Sequence, residues 1–142
     1  MENGKLSVDL LVERDYSSAL RMARHINEYN EQRKDIDKQM TEEANGIVSR
    51  LESMKHNSSI VLYDEGWKKG VIGIVASRLT EIYFRPTIVL TRDGDMATGS
   101  ARSVTGFDIY SAIKSCRDLL LNFGGHTYAA GLTLKWDKVR EF

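Results

Sequence analysis

The sequence predicts an α/β protein: a mixed β-sheet flanked by helices, preceded by a long helix. Three observations carry this. Residues 16–54 are dense in good helix formers, with no proline and a single glycine, Gly46. From Asn57 onward, short apolar runs alternate with stretches of helical periodicity. Glycine-bearing turns separate these runs, and such alternation suits a sheet covered by helices rather than a bundle or a sandwich.

In order along the chain, Ala19, Met22, Ala23, Ile26 and Tyr29 recur at helical spacing and predict one long helix or two. Between Asn30 and Glu43 the only aliphatic residues are Ile36 and Met40, so this stretch buries a narrow stripe at most. A solvated connector between domains and an exposed surface helix both fit it. The change of texture after His56 places a boundary near Asn57. It divides an N-terminal remnant with a linker helix, residues 1–56, from a compact domain, residues 57–142. Within that domain Ser59–Tyr63 reads as a buried strand and Gly70–Phe84 as a helix, with Pro86 preceding a second strand, Thr87–Leu90. Arg92-Asp93-Gly94-Asp95 has hairpin-turn chemistry, and Ala97–Ser103 returns as a strand of small residues. Helical spacing through Ile109, Ala112, Ile113, Cys116, Leu119 and Leu120 predicts a helix from Phe107 to Asn122, ended by Gly124. Ala129–Leu134 is the last strand, and Trp136–Phe142 enters another helix.

The chain has 142 residues, with 20 lysines and arginines against 20 aspartates and glutamates, so no global basic field announces nucleic acid. Any anion site must be local. The single cysteine, Cys116, excludes an internal disulfide and a multi-thiolate metal site and suits a reducing compartment, which points to the cytosol. No stretch approaches the roughly 20 apolar residues of a membrane span.

No water-activating set is recognisable. His25, His56 and His126 stand in no metal-ligand spacing, and Asp93-Gly94-Asp95 lacks the later ligands of a calcium loop. No glycine precedes Lys-Ser or Lys-Thr, so a phosphate loop is absent. Gly70-Val71-Ile72-Gly73 is too apolar to clamp nucleic acid backbone and reads as a helix start, with Gly73 and Ala76 allowing close approach to the sheet.

Two segments invite a ligand. In Thr98-Gly99-Ser100-Ala101-Arg102-Ser103, hydroxyls alternate along a strand beside one guanidinium able to make a bidentate anion contact. A solvated edge strand explains the same residues equally well. In Phe123-Gly124-Gly125-His126, the glycine pair lets a ligand approach the main chain next to a histidine, or else it caps the preceding helix. Ala129-Ala130-Gly131 adds almost no side-chain volume, implying that something lies close against that strand.

Gly66-Trp67, Gly70–Leu79, Arg85-Pro86, Gly99–Ser103, Gly106-Phe107-Asp108, Phe123–His126 and Ala129–Leu132, in this order, resemble the DHH-associated domain of RecJ exonucleases. The resemblance extends from about Ala19 to Lys135, since Asn30-Glu31-Gln32-Arg33 is similar to the helix linking that family's two core domains. It implies a DNA repair and recombination nuclease that cleaves single-stranded DNA 5′ to 3′ with two Mn2+ or Mg2+ ions. Those ions would be held by an N-terminal Asp-His-His domain, and this sequence contains no Asp-His-His. It further implies that Ser100, Arg102, Ser103, Gly124, Gly125 and His126 contact substrate phosphates, with Arg33 on the linker helix as a lesser contact. The expectation is therefore a fragment, inactive alone, lacking the metal-bearing domain before it and an oligonucleotide-binding-fold domain after it. Two other parents fit the residues less well. One is a related phosphodiesterase of short oligoribonucleotides or cyclic dinucleotides, and the other a nucleic-acid-binding module with no enzymatic role.

Overall fold

A computed structural model describes residues 2–50 and 57–142. His56 and the end of the predicted helix at 51–54 lie outside them, and the boundary expected at Asn57 adjoins that gap. The described chain forms two compact units, Met1–Ile36 and Asp37–Phe142.

The first unit holds α1 (Glu2–Val12) and the leading part of α2 (Tyr16–Arg50), a single helix where the sequence allowed one or two. Asp15 starts α2 by accepting the Ser18 amide on its side chain at 2.7 Å, which satisfies one of the free N–H groups of the first turn. His25 and Tyr29, one turn apart, stack at 4.9 Å between ring centroids.

The second unit begins at Asp37 because the rest of α2 has a core of its own. Met40, Ala44 and Val48, at four-residue spacing, are buried. Buried Asp37 meets Arg78 at 2.6 Å, and Trp67 Nε1 donates to Glu43 at 3.2 Å. The sheet comprises β1 (Ile60–Asp64), β2 (Thr87–Asp93), β3 (Met96–Arg102), β4 (Leu120–His126) and β5 (Ala129–Lys135), in the order β1-β2-β3-β5-β4. β1 and β2 are parallel and the other pairs antiparallel, so the sheet is mixed as the sequence predicts. The parallel pair is joined through α3 (Ile72–Tyr83), and β2 and β3 by the tight turn at Gly94, whose φ is 63°.

Alternation along the strands assigns the two faces. Ile88, Leu90, Ala97, Ala101, Ala130, Leu132 and Leu134 point to one side, where they form a core with Ile109 and Ile113 of α4 (Ile109–Ser115). The intervening residues, Val89 and Ser100 among them, face α3, whose Val75, Ala76 and Leu79 are buried. Because α3 covers β2 and β3, the same face of β5 and β4 is left open.

The helix predicted from Phe107 to Asn122 is much shorter. α4 ends at Ser115, a 3-10 turn spans Arg117–Leu119, and Leu120 begins β4. Leu120 and Phe123 fit a helical face by spacing, yet both pack on the core from a strand. Backbone pairing with β5, which no local pattern reveals, decides the outcome. Gly124 is therefore a strand residue paired with Gly131, not a helix end. Trp136–Lys138 forms only a single 3-10 turn.

Candidate nucleic-acid interface

The register of β3, β5 and β4 builds the site. Paired residues in a sheet share a face, so three rows cross these strands: Arg102–Ala129–His126, Ser100–Gly131–Gly124 and Thr98–Thr133–Asn122. The two motifs that stand more than twenty positions apart in sequence are thus two strands apart, roughly 10 Å between main chains. Between them lie only Ala129 and Gly131, and a Cβ on Gly131 or Gly124 would meet no atom closer than 4.0 Å.

Arg102 is held rather than solvated. Its Nε donates to Ser77 Oγ at 3.1 Å, and its Nη1 to Ser100 Oγ at 3.0 Å and to the Ala101 carbonyl at 2.8 Å. Ser77 in turn donates to the Gly73 carbonyl at 3.1 Å, tying the guanidinium to the first turns of α3. Among the described residues Arg102 has no carboxylate partner and its Nη2 no acceptor, so a half-buried positive charge with a free donor is available to an anion. A Cβ on Gly73 would stand 3.1 Å from both Arg102 Nη2 and Ser100 Oγ, which explains the glycine at that helix position. Ser100, accepting from Arg102, keeps its own hydroxyl proton for a ligand.

Ser103 is differently engaged. Its amide donates to the Tyr128 carbonyl at 3.0 Å and its hydroxyl to the Phe107 carbonyl at 2.7 Å, closing the turn through Gly106 that leads to α4. Asp108 caps α4 by accepting from the Ser111 amide and hydroxyl, and those bonds hold its carboxyl below the usual aspartate value.

Gly124 and Gly125 end β4 rather than forming a loop. Gly125, at φ 151°, has no room for a side chain, since a Cβ there would lie 2.3 Å from the Ala129 carbonyl oxygen. Exposed His126 accepts the Tyr128 amide on Nδ1 at 3.3 Å, so in the neutral ring the proton sits on Nε2, a donor free for a ligand. Arg33 is exposed on α2 in the first unit, whereas the rows belong wholly to the second. Ser77, Thr133 and Asn122 were not foreseen as site residues. Ser77 is detectable as a polar residue one turn after Gly73 in an apolar helix, but Asn122 lay hidden in a segment read as helical.

Among the described residues no three His, Cys, Asp or Glu side chains cluster to hold a metal ion, and the Arg102 row offers hydrogen-bond donors rather than carboxylate ligands. A divalent ion does not fit these residues. Among the described residues no helix is long and apolar enough to cross a membrane.

The DHHA1 domain family matches residues 39–142, and the chain belongs to it. It is 40% identical over 141 residues to the single-stranded-DNA-specific exonuclease RecJ of Bacillus subtilis, an alignment covering 98% of this chain and 18% of that protein. Crystal structures of Thermus thermophilus RecJ with Mg2+ and with Mn2+ match it with TM-scores of 0.85 and 27% identity. They cover 96% of this chain and 21% and 20% of theirs. The chain thus spans about a fifth of the length of these relatives.

Proposed function

We propose that this chain is the substrate-gripping part of a RecJ-type exonuclease acting on single-stranded DNA in repair and recombination in the cytoplasm. The observation that carries the reading is the alignment of Arg102 and His126 in one row across β3, β5 and β4, with Arg102 braced by Ser77 and Ser100. A phosphodiester bridging this row would accept from Arg102 Nη2, the Ser100 hydroxyl and His126 Nε2, each a donor with no competing acceptor in the row. Ala129, paired with Arg102, leaves the main chain low enough for it to settle. Gly124 extends the same floor, Gly125 sets the bend that presents His126, and Ser103 organises the turn behind Arg102. Arg33 on the linker helix would add a lesser contact to the same substrate.

This reading places hydrolysis elsewhere in the protein, on a DHH domain carrying Mn2+ or Mg2+, with an oligonucleotide-binding-fold domain also outside this chain. Residues 57–142 then serve as the substrate-binding wall and residues 1–56 as the connection to the catalytic side.

Joining this chain to its upstream DHH domain and assaying end-labelled single-stranded DNA with Mn2+ tests the proposal. Cleavage that falls at least about tenfold in Arg102→Ala is expected, the loss of a charge-assisted contact. Unchanged cleavage and binding in that variant would overturn it. Clear preference for a dinucleotide over long DNA would reassign the substrate.

A further inference from the structure

Beside the phosphate row, the same open face carries a depression of about 320 Å3 whose lining includes Thr98, Asn122, Gly124, Gly131 and Thr133. Its floor is main chain. Gly131 and Gly124 are paired across β5 and β4, and among the described residues a Cβ on either would meet nothing closer than the Gly99 carbonyl oxygen, 4.0 Å from that of Gly131. Glycine in the middle of a strand weakens it, losing more backbone entropy on folding and adding no packing, and it marks a bulge, a tight bend or the close approach of a ligand or another backbone. Neither position needs glycine for conformation, since neither has a positive φ. The far wall is the Thr98–Thr133–Asn122 row, which presents two hydroxyls and one carboxamide with no charge. It lies two rows beyond Arg102, about 14 Å along the strands at ~3.4 Å per residue, with the glycine row between.

We infer that this depression is a nucleoside subsite: the sugar and base of the nucleotide whose phosphate sits on the Arg102 row lie flat over Gly131 and Gly124, with the base edge reaching Thr133 and Asn122. Uncharged donors and acceptors suit a base edge or a sugar hydroxyl, whereas a second phosphate would call for another cation. A flat glycine floor accepts the face of any base, so the subsite takes all four with little preference. A hydroxyl–carboxamide wall holds each through one or two hydrogen bonds. The inference rests on the phosphate reading of Arg102, and the following experiment separates the two.

The 142-residue chain, isotopically labelled, is titrated by NMR at low salt with inorganic phosphate and, separately, with thymidine monophosphate. Phosphate is expected to shift the amides of Ser100, Arg102, Ala129 and His126 and to leave those of Thr133 and Thr98 in place. The nucleotide is expected to shift these and also Gly131, Gly124, Thr133 and Thr98. Gly131→Val, which fills the floor with a residue favoured in strands, should preserve the spectrum of the folded chain and its phosphate response. It should weaken thymidine monophosphate by at least about tenfold. Nucleotide shifts confined to the Arg102 row, or undiminished nucleotide binding in Gly131→Val, overturn the subsite while leaving the phosphate reading intact. Absence of shifts at the Arg102 row with either probe overturns both. Should Gly131→Val disturb the fold, Asn122→Ala and Thr133→Val, both on the partly open face, are read by the same titration, and wild-type nucleotide affinity in both overturns the subsite.

Discussion

Arg102 on β3 reaches across to α3, where its Nε donates to the hydroxyl of Ser77 at 3.1 Å, and the Ser77 hydroxyl in turn donates to the Gly73 carbonyl. The helix therefore orients the guanidinium that borders the open face. Ser77→Ala is expected to leave the fold intact and weaken single-stranded DNA binding about fivefold, the equivalent of about 1 kcal/mol for one lost orienting hydrogen bond. Arg102→Lys keeps the charge but not the fork held by Ser77 and Ser100, so it should bind more weakly than the wild type in the same titration. Equal affinity of Ser77→Ala and wild type would show that the orientation is unimportant.

The charge itself is read from salt dependence. Each phosphate neutralised on a single strand contributes about −0.7 to the slope of log K against log salt, so Arg102→Ala should flatten that slope by roughly this amount. Affinity measured at four or five salt concentrations settles it. A slope unchanged by the substitution would mean that Arg102 meets no phosphate.

The adjacent glycines of β4 should behave oppositely. A methyl group on Gly125 would lie 2.3 Å from the Ala129 carbonyl oxygen and 2.5 Å from the Ala130 Cα, both backbone atoms that cannot yield cheaply. Gly125→Ala is expected to cost at least about 2 kcal/mol in urea unfolding. Gly124→Ala, with nothing within 4 Å of its added carbon, should stay within about 0.5 kcal/mol of the wild type.

The Asp37–Arg78 pair is lopsided, with the Asp37 side chain 8% exposed and that of Arg78 49%. Removing Arg78 strands a buried carboxylate that, among the described residues, keeps only the Thr41 hydroxyl at 3.3 Å, whereas removing Asp37 leaves a guanidinium that water reaches. Arg78→Ala should therefore lower the denaturation midpoint more than Asp37→Ala. The reverse order would mean that the carboxylate finds water once its partner is gone.

Asp108 links stability to pH. Its bonds to the Ser111 amide and hydroxyl lower its folded pKa below the ordinary 3.8, so the unfolded chain takes up the proton first. The cap contributes above that value and is lost as pH falls through the folded pKa. Asp108→Asn retains a capping oxygen that does not titrate, so the stability difference between wild type and variant should shrink towards acid pH. A difference constant from neutral to pH 3 would exclude the linkage.

The sequence alone settled the fold class, because apolar runs of strand length and the helical periods of α2 and α3 are local properties of composition and spacing. It also singled out the segments holding Ser100, Arg102, Gly125 and His126 as ones where small residues keep the main chain accessible, while leaving a structural reading of each open. Tertiary structure decided the rest. Leu120–His126 became a strand because β5 needed hydrogen-bonding partners along its outer edge, a demand that helical spacing at Leu119 and Leu120 conceals. That one pairing brings His126 and Asn122 onto the face of Arg102, so the site exists only once the register is set. Ser77 is joined to it by distance alone, 25 residues away in sequence and one hydrogen bond away in the folded chain.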